Sequence, residues 1–191
     1  MTRVLTPDIA KGRGRPPLAS QGLSPKRSYT RFVTPEMMEI RRLGEQIWGR
    51  NWKVDLAEAT DLEIGVVTRF LAGTRAIPDD MPVRLQRACA GQIAKVNAAL
   101  SNSLLSTSEP MAVQEHSDEL ARIGIATWGA YWRSDFARAV GADLGLFSNA
   151  MSGKRRLAID PAKLREAVKM RLNTLQAVAR DPYFNPSPSR A

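Results

Sequence analysis

The stretch from Glu39 to Arg75 reappears as Glu119 to Arg155, shifted by 80 residues without a gap, and twelve positions are identical. The identical pairs include Gly44/Gly124, Trp48/Trp128, Gly49/Gly129, Trp52/Trp132, Asp55/Asp135, Ala57/Ala137, Gly65/Gly145 and Gly73/Gly153. Beyond the following loop the register resumes one residue shorter, with Pro82 matching Pro161 and Leu85 matching Leu164. A repeat of this length, carried twice, predicts a duplicated structural unit.

The composition excludes several classes of protein. The chain of 191 residues is 43% hydrophobic, which is enough for one or two small cores. Its apolar runs are too short to span a membrane, and its N-terminus has no signal-peptide core. With one cysteine, Cys89, and one histidine, His116, neither an internal disulfide nor a Cys/His zinc site can form. Cys89 falls on the apolar side of a predicted helix, and no catalytic constellation is visible, so we expect neither an enzyme nor a cofactor.

The net charge of +9 is unevenly distributed along the chain. Residues 1–33 carry +6, residues 34–100 are neutral with nine basic and nine acidic side chains, and residues 117–180 carry +5. A basic arm and one basic repeat indicate a polyanionic partner. The neutral first repeat weakens that expectation for its own half of the chain.

The sequence predicts an all-α fold with two similar four-helix domains in tandem. The predicted segments are a disordered basic arm (1–33), a first domain (34–100), a linker (101–116), a second domain (117–180) and a disordered tail (181–191). The predicted helices of the first domain cover about 35–48, 53–60, 63–72 and 82–100, and those of the second end at 128, cover 133–140 and 143–152, and begin at 161. Thr34 and Asp160 are expected to cap helices that begin with Pro35 and Pro161. Leu104, Leu105, Met111 and Val113 in the linker could form a dimer contact.

The middle of each repeat has the pattern of two helices crossing closely through a tight turn. Such a unit needs a small residue on its first helix, apolar residues at fixed offsets and a turn residue that tolerates a left-handed conformation. The second repeat meets these demands with Phe136, Ala137, Val140, Gly141, Ala142, Phe147 and Ala150. In the first repeat Asp61 replaces the turn glycine, and aspartate tolerates that conformation better than most residues.

These motifs resemble phage-repressor-type (lambda-repressor-like) helix-turn-helix domains. The first repeat supplies Trp48-Gly49, Trp52, Leu56-Ala57 and a loop from Gly73 to Ile77-Pro78. The second supplies Trp128-Gly129, Trp132, Phe136-Ala137 and a loop from Gly153 to Ile159. The resemblance covers about two-thirds of the chain. We expect the four tryptophans to be core or hinge residues.

The resemblance implies a set of DNA contacts in each repeat. Lys53, Arg133 and Ser134, at the start of the second helix, would reach phosphates. The third helix would enter the major groove with Glu63, Ile64, Gly65, Thr68 and Arg69 in the first repeat, and Asp143, Leu144, Gly145, Ser148 and Asn149 in the second. The following loop would clamp the backbone through Thr74, Arg75, Lys154, Arg155 and Arg156. Arg69 suits guanine and Asn149 suits adenine, whereas Glu63 and Asp143 could read cytosine or only cap their helices.

The arm contains Lys11-Gly-Arg-Gly-Arg-Pro-Pro17, of which Arg13-Gly14-Arg15-Pro16 resembles an AT-hook. A narrow A/T-rich minor groove attracts inserted arginine, while glycine lets the backbone lie on the groove floor. The alternative is a solvated basic tail.

The resulting expectation is sequence-specific binding of double-stranded DNA by a transcriptional regulator of bacterial, phage or mobile-element origin, located in the bacterial nucleoid. Two reading heads in one chain could span an asymmetric or direct-repeat site with unlike halves. A homodimer or a protein partner is compatible with the sequence, and a membrane partner is not expected. The alternatives are an architectural DNA-bridging protein, or a first repeat that docks a protein through Ile64, Val66 and Leu71.

Overall fold

The computed structural model describes residues 33–184, which are mostly helical and include one short antiparallel sheet. The helices are α1 (Pro35–Trp48), α2 (Trp52–Ala59), α3 (Ile64–Leu71), α4 (Met81–Leu100), α5 (Ser117–Trp128), α6 (Arg133–Val140), α7 (Leu144–Met151) and α8 (Pro161–Val178). Two 3-10 turns follow α4 and α8, at Ser103–Ser106 and Pro182–Phe184, and β1 (Met111–Ala112) pairs with β2 (Ala158–Ile159). The prediction of an all-α fold is confirmed, and the predicted helix boundaries are met to within one or two residues. The small sheet was not predicted.

The helix starts follow from local capping chemistry. The Thr34 hydroxyl accepts a hydrogen bond from the Met37 N–H at 3.2 Å, and Pro35 occupies the first helical position of α1. The Asp160 carboxylate accepts from the Ala162 N–H at 2.8 Å ahead of Pro161. Each cap satisfies an amide that has no partner inside its helix, which confirms both predicted starts.

The turns between α2 and α3 and between α6 and α7 have the same geometry. Gly141 has φ 73°, and Asp61 has φ 54° at the equivalent place. In both turns the next residue donates its N–H back into the preceding helix at 2.8 Å, from Leu62 to Ala57 and from Ala142 to Ala137. The prediction that Asp61 takes over the left-handed role of the turn glycine is confirmed.

Inside each repeat, the third helix packs against the second and buries one face. Val67 and Phe70 of α3 are fully buried, as are Phe147 and Ala150 of α7. In the second repeat the rings of Phe136 and Phe147 stack with centroids 4.8 Å apart. Trp48, Trp52 and Trp132 are buried and Trp128 is partly buried, as expected of core residues. Cys89 is also in the core.

The two repeats share one continuous core and belong to a single compact unit. The long helices α4 and α8 pack against each other at its centre. Each also packs against the first helix of the other repeat, so that α4 contacts α5 and α8 contacts α1. Helices of one repeat therefore pack against helices of the other repeat as well as against their own.

The segment predicted as a linker needs correction, because four of its side chains are part of the core. Leu104, Leu105, Met111 and Val113 are buried within the chain, so they do not offer a dimer contact. The predicted tail needs correction at its start, where Pro182–Phe184 forms a 3-10 turn and Phe184 is buried. Residues 1–32 and 185–191, including most of the predicted arm, lie outside the described residues.

Candidate nucleic-acid interface

The outer face of α3 is open to solvent while its inner face anchors it. Ile64, at the start of the helix, is 46% exposed, and Thr68 and Arg69 are exposed one turn later. The predicted contact residues of the first repeat are all exposed, namely Lys53, Glu63, Ile64, Gly65, Thr68, Arg69, Thr74 and Arg75. The structure thus brings a polar face, one apolar side chain and a loop together on one side of the first repeat.

The outer face of α7 is equivalent. Leu144 is also 46% exposed, and Asn149 is exposed, whereas Ser148 is half-buried. The remaining predicted residues of the second repeat, Arg133, Ser134, Asp143, Gly145, Lys154, Arg155 and Arg156, are exposed. Ser148 and Leu144 line a groove between the repeats.

The two acidic residues that precede these helices behave differently. Asp143 caps α7, since its carboxylate accepts a hydrogen bond from the Leu146 N–H at 2.9 Å. Glu63 occupies the same position before α3 but makes no side-chain cap. The capping alternative therefore holds for Asp143 and not for Glu63, whose carboxylate remains exposed beside Ile64.

The polar side chains of α3 are held close to their own helix. The Thr68 hydroxyl donates to the Ile64 carbonyl at 2.8 Å, and Arg69 Nε donates to the Gly65 carbonyl at 3.0 Å. The Thr74 hydroxyl donates to the Arg69 carbonyl at 3.0 Å. A guanidinium has five N–H donors, so the bond at Nε leaves the fork of Arg69 able to form a bidentate contact.

The basic side chains of both surfaces are not neutralised by neighbouring carboxylates. The ion pairs found within residues 33–184 join Arg41, Arg42, Arg84 and Arg138 to nearby Asp or Glu. Within that part of the chain, none involves the predicted phosphate contacts Lys53, Arg69, Arg75, Arg133, Lys154, Arg155 or Arg156. Arg133 lies over the Trp132 ring at 6.0 Å from its centroid, which holds the guanidinium at the start of α6.

Arg50 is a surface residue that sequence reasoning missed. It is exposed in the loop before α2 and lines two grooves, one shared with Leu144 and Ser148 of α7 and one shared with Lys53 and Thr68 of the first repeat. The sequence signal that could have identified Arg50 was its position two residues before the start of α2. Its placement between the two repeats could not be inferred without the cross-repeat packing.

Val33 marks where the described chain enters the fold. It lines the same groove as Lys53, Arg50 and Thr68. The predicted arm contacts Arg13, Gly14 and Arg15 lie outside the described residues.

Asp55 is a carboxylate placed between the repeats. A Cβ added at Gly129 would meet its Oδ1 at 3.3 Å. Burial raises the pKa of the Asp55 carboxyl, and Glu58 raises it further, while the Ala130 N–H lowers it. This carboxylate belongs to the contact between repeats and not to either exposed helix face.

Within residues 33–184 no helix is both long and apolar enough to cross a membrane. The same residues contain no group of three His, Cys, Asp or Glu side chains arranged to hold a metal ion. Comparisons of the chain with protein-family models, with curated proteins and with solved structures found no match. The function is therefore inferred from the geometry and chemistry of the surface.

Proposed function

We propose that this protein binds double-stranded DNA in a sequence-specific manner and regulates transcription. The observation that carries the proposal is the pair of equivalent surface helices, α3 and α7. Each has one face anchored in the core and an opposite face that presents hydrogen-bonding side chains. A helix presented in this way can enter the major groove and contact base edges.

The surroundings of each helix supply the contacts that position it on a duplex. Lys53 and Arg133 lie at the starts of α2 and α6, and Arg75 and Arg155 lie in the loops after α3 and α7. Contacts of this kind to phosphates fix orientation and supply affinity without reading sequence. In this proposal Arg69 and Asn149 read bases, and the arm residues Arg13 and Arg15 enter an adjacent minor groove.

The test is selection of bound duplexes from a random pool by the full chain at physiological salt. We expect an enriched motif, and Asn149→Ala should relax the preference at one base pair, with a loss on the cognate base of about 5- to 150-fold. Arg155→Gln should weaken binding to all duplexes alike. The matched control is Arg87→Gln. Arg87 is an exposed arginine of α4 that does not line the grooves beside α3 and α7, so this change should leave the base preference and the overall affinity unchanged.

A selection that enriches no motif, while binding persists, would instead favour an architectural DNA-bridging protein. Repeating the selection without residues 1–33 separates the contribution of the arm. An A/T-rich flank that disappears with the arm would support minor-groove contact, and an unchanged motif would reduce the arm to a solvated basic tail.

Protein docking by the first repeat is the competing role for α3, and the neutral charge of that repeat favours it. Of the three apolar residues expected to form a docking surface, however, Val66 and Leu71 are half-buried and only Ile64 is exposed. Arg69→Glu distinguishes the two roles. It abolishes specific binding if α3 reads DNA, and it leaves binding intact if α3 docks a protein.

A further inference from the structure

The repeats contact each other reciprocally through the ends of their first helices. On α8, Arg171 donates to the Gln46 carbonyl near the end of α1, at 2.7 Å. On α4, Gln92 donates to the Ala126 carbonyl near the end of α5, also at 2.7 Å. Gln46 and Ala126 are 80 residues apart, and Gln92 and Arg171 are 79 apart, so each pair matches in the register of the repeat. Each repeat therefore gives the other the same contact that it receives.

The 3-10 turns form a second pair of contacts, which match by element although the partner residues Arg42 and Glu119 are not equivalent in the repeat. Asp181, before the second turn, accepts a hydrogen bond from Arg42 of α1 at 2.6 Å, and Asn102, before the first turn, donates to Glu119 of α5 at 3.2 Å. Both residues also accept from the N–H two positions later, at 2.9 Å. Asn102 and Asp181 are again 79 residues apart. The first turn packs against α8 and the second against α4.

Reciprocal contacts determine the kind of symmetry that relates the repeats. If the second repeat were displaced along one direction from the first, a surface of one would meet a different surface of the other. In a reciprocal contact, a residue of the first repeat touches a residue of the second, and the equivalents of these two residues touch each other with the repeats exchanged. The operation that exchanges the repeats is then its own inverse, as in a two-fold dimer. The central pairing of α4 with α8 lies where such an axis would pass.

We infer that this single chain is a built-in two-fold pair of reading heads, which binds two unlike half-sites arranged as an inverted repeat. The inference rests on the proposed function and replaces the expectation of a direct-repeat site. A two-fold axis between the heads matches the local two-fold axes of the duplex, so α3 and α7 meet the DNA in opposite orientations. Because the two helices carry different exposed side chains, the natural site is an imperfect palindrome.

The inference can be tested by making the two heads alike at the positions predicted to face DNA. One variant gives α7 the side chains of α3 through Asp143→Glu, Leu144→Ile, Ser148→Thr and Asn149→Arg. The opposite variant gives α3 those of α7 through Glu63→Asp, Ile64→Leu, Thr68→Ser and Arg69→Asn. Each symmetrised full chain is used to select duplexes from the random pool. We expect each to enrich a perfect inverted repeat, built from one half of the natural site.

A second measurement leaves α3 and α7 unchanged and uses the natural site. Thr74 and Lys154 are equivalent exposed positions in the two loops, so Thr74→Cys and Lys154→Cys can each carry a DNA-cleaving reagent. The native Cys89 is buried and does not compete for labelling, because burial raises the pKa of its thiol to about 11. For an inverted site, the cuts from one labelled position appear on one strand, and the cuts from the other appear on the opposite strand at the same distance from a common centre. For a direct repeat, they are shifted along the duplex with the same strand assignment.

The outcomes separate this inference from the proposed function. A direct repeat or a single half-site from the symmetrised variants, or shifted cutting patterns, overturns the inverted arrangement while DNA reading stands. If neither symmetrised variant binds, the cutting patterns on the natural site decide. If the unmodified chain enriches no motif and does not bind the pool even in dilute buffer, the proposed function fails, and the inverted site fails with it.

Discussion

At the scale of single residues, the repeated glycines and tryptophans explain each other. Gly44 of α1 lies against the face of Trp52, and Gly124 of α5 lies against the face of Trp132. A Cβ at either glycine would overlap ring carbons of the indole. The sequence identified these pairs as equivalent and the tryptophans as core residues. The reason for the glycines required coordinates, because close approach depends on how two helices cross.

Gly44→Ala and Gly124→Ala are therefore expected to lower the free energy of unfolding by about 1–3 kcal/mol each, as overpacking in a core does. The matched control is Gly91→Ala on α4, where an added Cβ meets nothing within 4 Å. That substitution should raise stability by about 0.5–1 kcal/mol, because alanine suits a helix interior better than glycine. Urea unfolding of the three variants measures these changes. A loss of stability in all three would contradict the role given to the indole rings.

Asp55 gives a residue-scale prediction with a definite pH dependence. Its pKa is raised in the folded protein, mainly by burial, so folding favours the protonated carboxyl. The stabilisation is fully present below the unfolded pKa of about 3.9 and is lost as the pH rises through the folded value. Asp55→Asn keeps an oxygen facing the Ala130 N–H and removes the buried charge. It should raise Tm at pH 7 and have little effect at pH 3.

The control for Asp55 is Asp79→Asn, an exposed carboxylate of the same repeat that should leave Tm unchanged at both pH values. Thermal unfolding followed by circular dichroism compares the variants. A Tm gain of equal size at pH 3 and pH 7 would mean that the ionised carboxylate is not the cause.

At the scale of helices, the sequence predicted the helix boundaries well but did not predict which helices pack against each other. Caps, prolines and turn residues act within a few positions, so Thr34, Asp61 and Asp160 could be assigned from local chemistry. The long helices α4 and α8 have apolar faces that could equally cover their own repeat or the other. That choice depends on contacts such as the one from Arg171 to α1, which no local pattern encodes.

Arg171 joins the ends of α1 and α5. It donates to carbonyls of Gln46 and Ile47 in α1 and of Thr127 in α5. Arg171→Ala should lower the free energy of unfolding by about 1.5–3 kcal/mol, the range for hydrogen bonds that involve a charged group. Gln92→Ala, which removes one neutral bond at the equivalent place, should cost about 1 kcal/mol.

The exposed neighbour Lys169 provides the control, since Lys169→Ala should stay within about 0.5 kcal/mol of the native chain. Urea unfolding of all three variants gives the comparison. Equal effects for Arg171→Ala and Lys169→Ala would show that the carbonyl contacts between repeats contribute nothing to stability.

At the scale of the whole molecule, the errors of sequence reasoning have one physical origin. The segments predicted as linker and tail lack helical periodicity, and their apolar side chains are few. Leu105 and Phe184 become buried only because α4 and α8 bring the 3-10 turns into the shared core. Burial of this kind depends on residues far away in the chain. The outer faces of α3 and α7, by contrast, follow from the short-range pattern of a turn between two helices.

Under the proposed function, the shared core predicts how many chains occupy one DNA site. A regulator with a single reading head must dimerise to cover two half-sites, and its binding then weakens when the free protein is dilute enough to dissociate. Here the two repeats are already joined in one core within a single chain. We expect one chain per natural site and a binding curve with a Hill coefficient of about 1. The affinity should not change when the free protein is diluted. Sedimentation of the complex measures the stoichiometry, and two chains on one site would show that the pairing inside the chain does not replace a dimer.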